Sequence, residues 1–213
     1  MSEVTPTRSA VVELKDERRA MHEGYVFLDE KCLLLAGEIM RELGRHETLQ
    51  RRLRELHEEA VAALEAAVAR HGLQGLQVYP PSDLAAVWVR TRRRSLMGVS
   101  LQDATLDASA APAAAAVHRS PEAEACRRAY AALLAAAAAA AAVAGNLERL
   151  SLEYRRSVRR ARALQDVMLP ELDQAIAAID GRLEELERED AIWMRQRAVP
   201  RDGAGDRDKA QAA

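Results

Sequence analysis

The chain has 213 residues, of which 49% are hydrophobic, only 3% aromatic and 30% charged, with a formal net charge of −2. Much of the apolar share is alanine, which brings helix propensity and little burial. A conventional core of large side chains is therefore excluded, and the near-neutral balance excludes a chain that is polybasic throughout.

The mix of Ala, Glu, Leu and Arg is that of a long helix or coiled coil. Met1 to Arg8 is polar and has no apolar h-region, so no signal peptide is expected. The longest apolar run, Ala129 to Ala144, reads as too short and too alanine-rich to span a membrane. Both features predict a soluble, cytosolic protein. Cys32 and Cys126 are the only cysteines and form no CxxC pair, so they read as buried or half-buried thiols rather than metal ligands.

The first third reads as one helix, roughly Thr7 to Arg70. Leu14, Met21, Leu28 and Leu35 recur at sevens, and Leu49 and Leu56 continue the phase. Tyr25, Cys32 and Ile39 follow four residues after, and Leu53, Ala60 and Ala67 resume that position. This is the a/d stripe of a coiled coil. It weakens at Glu42, Gly44 and His46. Gly24, Gly37 and Gly44 fit close helix approach or mild bending. His71-Gly72 is a stop signal, so the first helical unit spans 1–71.

An insert follows over 72–121. Tyr79-Pro80-Pro81-Ser82 breaks regular structure. Val87-Trp88-Val89 and Met97-Gly98-Val99-Ser100-Leu101 look like two short strands of a hairpin. Arg90 and Arg92 to Arg94 between them mark a turn or an exposed edge. Asp107 to Ser120 is Ala/Ser/Pro-rich and reads as a flexible loop.

A second long helix, 122–199, is announced by Ser120 as cap, Pro121 at the first helical position and Glu122 against the dipole. Its seam runs Leu133, Ala136, Ala140, Val143, Leu147, Leu150, Tyr154, Ser157, Ala161, Leu164, Met168, then Leu172, Ile176, Ile179, Leu183, Leu186 and Trp193. Leu164, Met168 and Leu172 are two steps of four in succession, a stutter that locally unwinds a supercoil. Pro170 there removes the bond to the Asp166 carbonyl and predicts a kink. The closest helix approach is expected along Ala135 to Ala142, and residues 200–213 are expected to be disordered. At about 1.5 Å per residue each helix reaches roughly 90 to 115 Å, and the similar lengths favour an antiparallel pair. That pairing sets Cys32 opposite residues near Ala161 to Gln165, far from Cys126, so no intrachain disulfide is expected. The fold class is thus all-α: a long antiparallel two-helix coiled coil, a small hairpin-containing insert and a disordered tail.

No GxxxxGK[ST], HExxH or GxSxG motif is present, and the five histidines are scattered. The chain reads as a non-enzyme without cofactor or metal. Arg149, Arg155, Arg156, Arg159, Arg160 and Arg162 wrap several faces of one helix. They fit either a solvated surface or a surface for partner carboxylates. A nucleic-acid partner is not expected, because stacking aromatics are missing. The run Glu184-Glu185-Leu186-Glu187-Arg188-Glu189-Asp190 reads as a water-facing face.

The two ends together resemble the D subunit, the central-stalk component of V/A-type ATPases and ATP synthases. The N-terminal residues are Thr5-Pro6-Thr7-Arg8, Leu14-Lys15, Ala20, Gly24, Phe27-Leu28 and Lys31. The C-terminal ones are Arg159-Arg160-Ala161-Arg162-Ala163-Leu164, Leu169-Pro170, Leu172, Ile176, Ile179 and Leu183 to Glu189. Leu96-Met97-Gly98-Val99 is similar to the family's Met-Gly-Val segment. Asp29 and Cys32, Gln165-Asp166 and the end Ile192 to Arg197 depart from the family pattern.

The resemblance implies a rotor component that transmits torque between the catalytic ring and the membrane ion-translocating rotor, peripheral to the membrane and without direct insertion. Implied partners are the catalytic A and regulatory B subunits, the small F subunit and a funnel-like subunit above the membrane ring. Implied ring contacts are Thr7, Arg8, Arg159, Arg160 and Arg162, with the kink at Pro170 and the hairpin at Met97, Gly98 and Val99. Without the resemblance, the heptads alone support a generic coiled-coil scaffold or adaptor.

Overall fold

The computed structural model describes residues 6–77, 79, 87–107, 116 and 119–198. Helix α1 (Arg8–Gln77) is followed by strands β1 (Trp88–Leu96) and β2 (Val99–Asp107). Helix α2 (Pro121–Ala163), a π-helical turn (Leu164–Met168) and helix α3 (Leu169–Ala198) complete the order. The fold is mostly helical: two long helical stretches with a two-stranded antiparallel insert between them. Packing divides it into two units, Met1–Leu28 with Arg160–Ala213, and Asp29–Arg159. The predicted tail, most of the predicted loop at 107–120 and the Pro80-Pro81-Ser82 breaker lie outside the described residues.

In the first unit the start of α1 lies antiparallel to α3. Arg8 pairs with Glu187 at 2.5 Å, Lys15 with Asp180 at 3.5 Å, and Arg18 with Asp173. These pairs are exposed and screened by solvent; the apolar seam supplies the hold. Val11, Ala161 and Ile179 are buried, and Leu14, Met21, Leu172, Ile176 and Leu183 are half-buried. Thr7 caps α1, its Oγ1 accepting the Ala10 N–H at 3.2 Å. Leu164 Cδ1 sits 3.8 Å from where a Cβ on Gly24 would lie, so a leucine fills the glycine's flat side. The predicted seam positions Leu186 and Trp193 are instead 47% and 57% exposed. The reason is geometric: Arg8, the first residue of α1, already meets Glu187, so α1 offers nothing for Trp193 to face.

The predicted stutter takes the form of the π-turn. The Leu169 N–H donates to the Leu164 carbonyl five residues back, and none of the five residues Leu164–Met168 is buried. Met168, a predicted seam residue, is exposed. A π-turn inserts an extra residue into the helical count, which carries Met168 off the stripe, and Pro170 follows two residues later.

In the second unit the remainder of α1 pairs with α2. Leu35, Leu56, Ala60 and Ala67 of α1 and Ala123, Val143, Leu150 and Ser157 of α2 are buried, and Leu35 packs with Leu150. Lys31 meets Glu153 at 2.6 Å, so Cys32 lies opposite the turn around Glu153 and not Ala161 to Gln165. Matching the helices by their ends misses the register that these polar pairs set. Cys32 and Cys126 are free and half-buried, and burial pushes both thiols up from their ordinary range. The chain leaves helical geometry at Gly72 (φ 68°, ψ 163°), where a stop was predicted, but helix resumes to Gln77. The far end is tied by Ser120. Its Oγ accepts the Ala123 N–H at 3.1 Å and lies 2.6 Å from His71 Nε2, and its N–H donates to the Tyr79 hydroxyl at 2.8 Å.

The alanine stretch leaves the flanks of this seam open. A groove of about 700 Å³ runs past Ala139, Val143, Thr48 and Leu49, and one of about 460 Å³ past Leu133, Ala137, Leu53 and His57. The helical stretch Pro121–Arg197 contains a window of mean hydropathy 1.7, apolar and long enough by composition to cross a membrane. That differs from the reading of the alanine run as too short. The run is one part of a longer helix, and alanine counts as apolar although each methyl buries little area.

The hairpin is longer than predicted. Each strand has nine residues, and Arg90, Arg92, Arg93 and Arg94 belong to β1 itself. The turn is Met97-Gly98, both with positive φ (48° and 83°), and Leu96 pairs with Val99 across it. A two-residue loop with both φ positive is the turn that matches strand twist. Val99, Leu101, Leu35 and Leu150 form the buried core under the hairpin, with Ile39, Leu96 and Tyr154 packed against it.

Candidate functional site

The heptad breaks at Glu42, seven residues after Leu35, and this break is where the hairpin is bound to the helices. Glu42 is 0% exposed and Glu38, one turn earlier, 3%. Carboxylates this deep must be paired, and each of their four oxygens has a partner. Arg94, reaching in from β1, donates Nη2 to Glu38 Oε1 and to Glu42 Oε1, the latter at 3.0 Å. Arg41 donates to Glu38 Oε2 at 2.5 Å, and Arg45 to Glu42 Oε1 at 2.7 Å. The other arm of Arg45 holds Asp103 of β2 at 2.7 Å. Asn146 of α2 donates to Glu42 Oε2 at 3.2 Å.

Asn146 also reads a strand edge. It accepts the Gln102 N–H at 2.8 Å and donates to the Gln102 carbonyl at 2.9 Å, as a neighbouring strand would. Arg149 steadies it by donating to Asn146 Oδ1 at 2.7 Å. Three guanidiniums thus face three carboxylates, with one amide joining α1, α2 and β2. The hydrogen bond from Arg45, ahead of the opposing cost of burial, holds the Asp103 carboxyl below its ordinary range. Arg94 and Arg45 are raised, first by their bonds to Glu38 and Asp103 respectively, so they stay charged. Arg41, Arg45 and Asp103 also line the groove of about 700 Å³ beside Thr48 and Val143, but the cluster offers no nucleophile, and no group of three or more metal-ligating side chains occurs among the described residues. Its chemistry is that of a mechanical tie.

Sequence reasoning missed this cluster. Glu42 registered only as a weak heptad position, and nothing local says that an arginine fifty residues on will meet it. The residues that were singled out lie elsewhere. Met97 and Gly98 form the exposed turn, and Val99 is buried beneath it. Thr7 and Arg8 open α1, where one caps and the other pairs with Glu187. Arg159, Arg160 and Arg162 are exposed, and Pro170 is exposed in the first turn of α3. These residues do not form one site: Met97, Gly98, Val99 and Arg159 belong to the second unit and the others to the first.

Comparison with known proteins bears on this pairing of helices and hairpin as a whole. The family model for the ATP synthase D subunit matches residues 10–196. The chain belongs to the family of ATP synthase D subunits. The V-type ATP synthase D subunit of Thermotoga neapolitana is 24% identical over 194 residues, covering 91% of this chain and 96% of the relative. That of Anaeromyxobacter dehalogenans strain 2CP-C is 29% identical over 202 residues, covering 92% and 96%. The A-type ATP synthase D subunit of Thermococcus sibiricus is 24% identical over 197 residues, covering 91% and 92%. The family match takes in both helical stretches, the hairpin and all members of the Glu38–Glu42 cluster.

Proposed function

We propose that this chain is the central-stalk rotor of a V/A-type ATP synthase, carrying torque between the catalytic ring and the membrane ion-translocating rotor. The observation that carries the reading is the family match over residues 10–196. The physical properties suit it. A torque-bearing part needs interlocking side chains along its length, and heptad seams provide them. The chain's outer surface mixes charged residues with exposed large apolar ones such as Phe27, Leu33, Met40 and Trp193, and apolar exposure of this kind suits contact with other subunits.

In this reading the chain supplies no catalytic group. It turns inside a ring of A and B subunits, sits beside the small F subunit, and engages a funnel-like subunit over the membrane ring, which places it at the membrane surface through the complex. Arg159, Arg160 and Arg162, all exposed, meet acidic ring side chains at certain rotary angles, with Thr7 and Arg8 completing the contact set. Their fork geometry suits carboxylates. Pro170 with the π-turn before it shapes the local course of the helix.

The test is purification of the tagged full chain from its own cells. The rotor reading expects A and B subunits to accompany it, and their absence sinks it. In the purified complex, R159E/R160E/R162E is expected to lower ATP hydrolysis coupled to ion movement several-fold. Unchanged coupled turnover would remove the arginine contacts from the proposal while leaving the rotor itself standing.

A further inference from the structure

The hairpin has two edges, and the fold treats them differently. The pairing is continuous, one residue to one, from Trp88↔Asp107 to Leu96↔Val99, with no bulge. With the pair beside the two-residue turn hydrogen-bonded, the strands alternate: Arg94, Arg92 and Arg90 point their backbone groups at β2, while Ser95, Arg93, Thr91 and Val89 point theirs away. The same alternation turns the Gln102 N–H and carbonyl outward on β2. Asn146 occupies both. On β1 no third strand pairs with the outward groups among the described residues, and residues 88–95 are all exposed.

Natural edge strands are blunted by shortness, proline, bulges or charge. This one is nine residues long and unbulged, its outward positions are Val89, Thr91, Arg93 and Ser95, and its one blunting device is positive charge, four of its nine residues being arginine. Thr and Val suit a paired strand. Beside it stand the exposed cations Arg93 and Arg92, the latter cross-strand from Asp103 and sharing that carboxylate's field with Arg45 and Arg94. Arg94, by contrast, is committed to Glu38 and Glu42.

We propose that the outer edge of β1 is a docking site for an extended, acidic segment of a partner polypeptide, which adds as a third strand. The partner's backbone pairs with Val89, Thr91, Arg93 and Ser95, and its carboxylates meet Arg92 and Arg93. Main-chain pairing gives the affinity and the charge selects the partner. The Glu38–Glu42 tie holds the receiving edge in place, so little ordering is needed on this side. The inference goes beyond the rotor reading, since it concerns a surface that reading leaves unassigned.

The experiment is residue-resolved amide exchange on the full chain, alone and in the complex purified with it at low salt. The N–H groups of Val89, Thr91, Arg93 and Ser95 are expected to slow at least about tenfold on assembly, the signature of new edge pairing. Those of Arg90, Arg92 and Arg94 are already slow in both states. Thr91→Pro removes only an outward N–H, so the hairpin persists, shown by a slow Arg94 amide, and the assembly-dependent protection of Val89 and Arg93 is lost. Should that variant unfold the hairpin, R92E/R93E serves instead and is expected to abolish the same protection. Unchanged exchange along the edge overturns the proposal, as does uniform slowing of both sets of amides or a chain that purifies with nothing on this edge. Absence of A and B subunits, by contrast, defeats the rotor reading and leaves the exchange pattern to decide this one.

Discussion

At the scale of single residues, Glu42 shows how a polar interruption of a heptad can tie separate elements together. A leucine there would extend the seam; the glutamate instead recruits Arg94, Arg45 and Asn146. Breaking a buried ionic cluster from one side is costly because the remaining charges keep their burial and lose their partner. Arg94→Met is therefore expected to lower stability by about 1–3 kcal/mol in urea unfolding. Asn146→Asp should cost more than Asn146→Ala: it sets a carboxylate against Glu42 Oε2 and the Gln102 carbonyl, where the amide now donates to both. Equal unfolding midpoints for the two variants would show that Asn146 is a spacer and not a tie. Leu150, 0% exposed under the hairpin, is expected to lose about 2–5 kcal/mol on truncation to alanine.

At the scale of elements, the turn carries a testable strain. Met97 holds φ 48° although it bears a Cβ, a region that Asn and Gly occupy more readily. Met97→Asn should stabilise the hairpin by some tenths of a kcal/mol up to about 1. Gly98→Ala, at φ 83°, should destabilise it by about 1 kcal/mol or more, since no neighbour crowds that Cβ and the penalty is backbone conformation alone. Hairpin amide exchange reads both changes. The hairpin's existence was legible from Val87 to Val89 and Met97 to Leu101. Its strand lengths were not, because the arginines of β1 carry no apolar alternation: one face meets water and the other meets buried carboxylates. The stutter at Leu164, Met168 and Leu172 was legible as a count, but a sequence pattern does not say whether the extra residue is absorbed by unwinding or by a π-turn.

At the scale of the whole molecule, stability rests on seams with few large side chains and on charge pairs that join separate segments. Acid tests the second contribution. Asp103 has its folded pKa lowered, first by the Arg45 hydrogen bond. Its stabilisation is therefore fully present above the ordinary aspartate value of about 4 and is lost as pH falls through the lower folded value. Near and below pH 4 the hairpin is expected to loosen from the helices before helical content falls. Amide exchange of β2 compared with far-UV circular dichroism checks the order, and simultaneous loss of both signals would show that Asp103 contributes nothing separable.

Sequence by itself determined that this chain is two long helical stretches with a small insert, that their seam follows the heptad, and which family it belongs to. Those features are local: helical bonds span four residues, and a heptad stripe is visible in any window of two or three turns. Tertiary structure decided what the polar residues of that stripe do. Glu38 and Glu42 meet Arg94 across more than fifty positions, Asn146 stands in for a strand beside Gln102, and Lys31 finds Glu153 well away from the register that matched helix ends suggest. No local pattern encodes such partners, because a buried charge specifies only that something opposite must neutralise it. Which residue does so depends on how the helices and the hairpin come together.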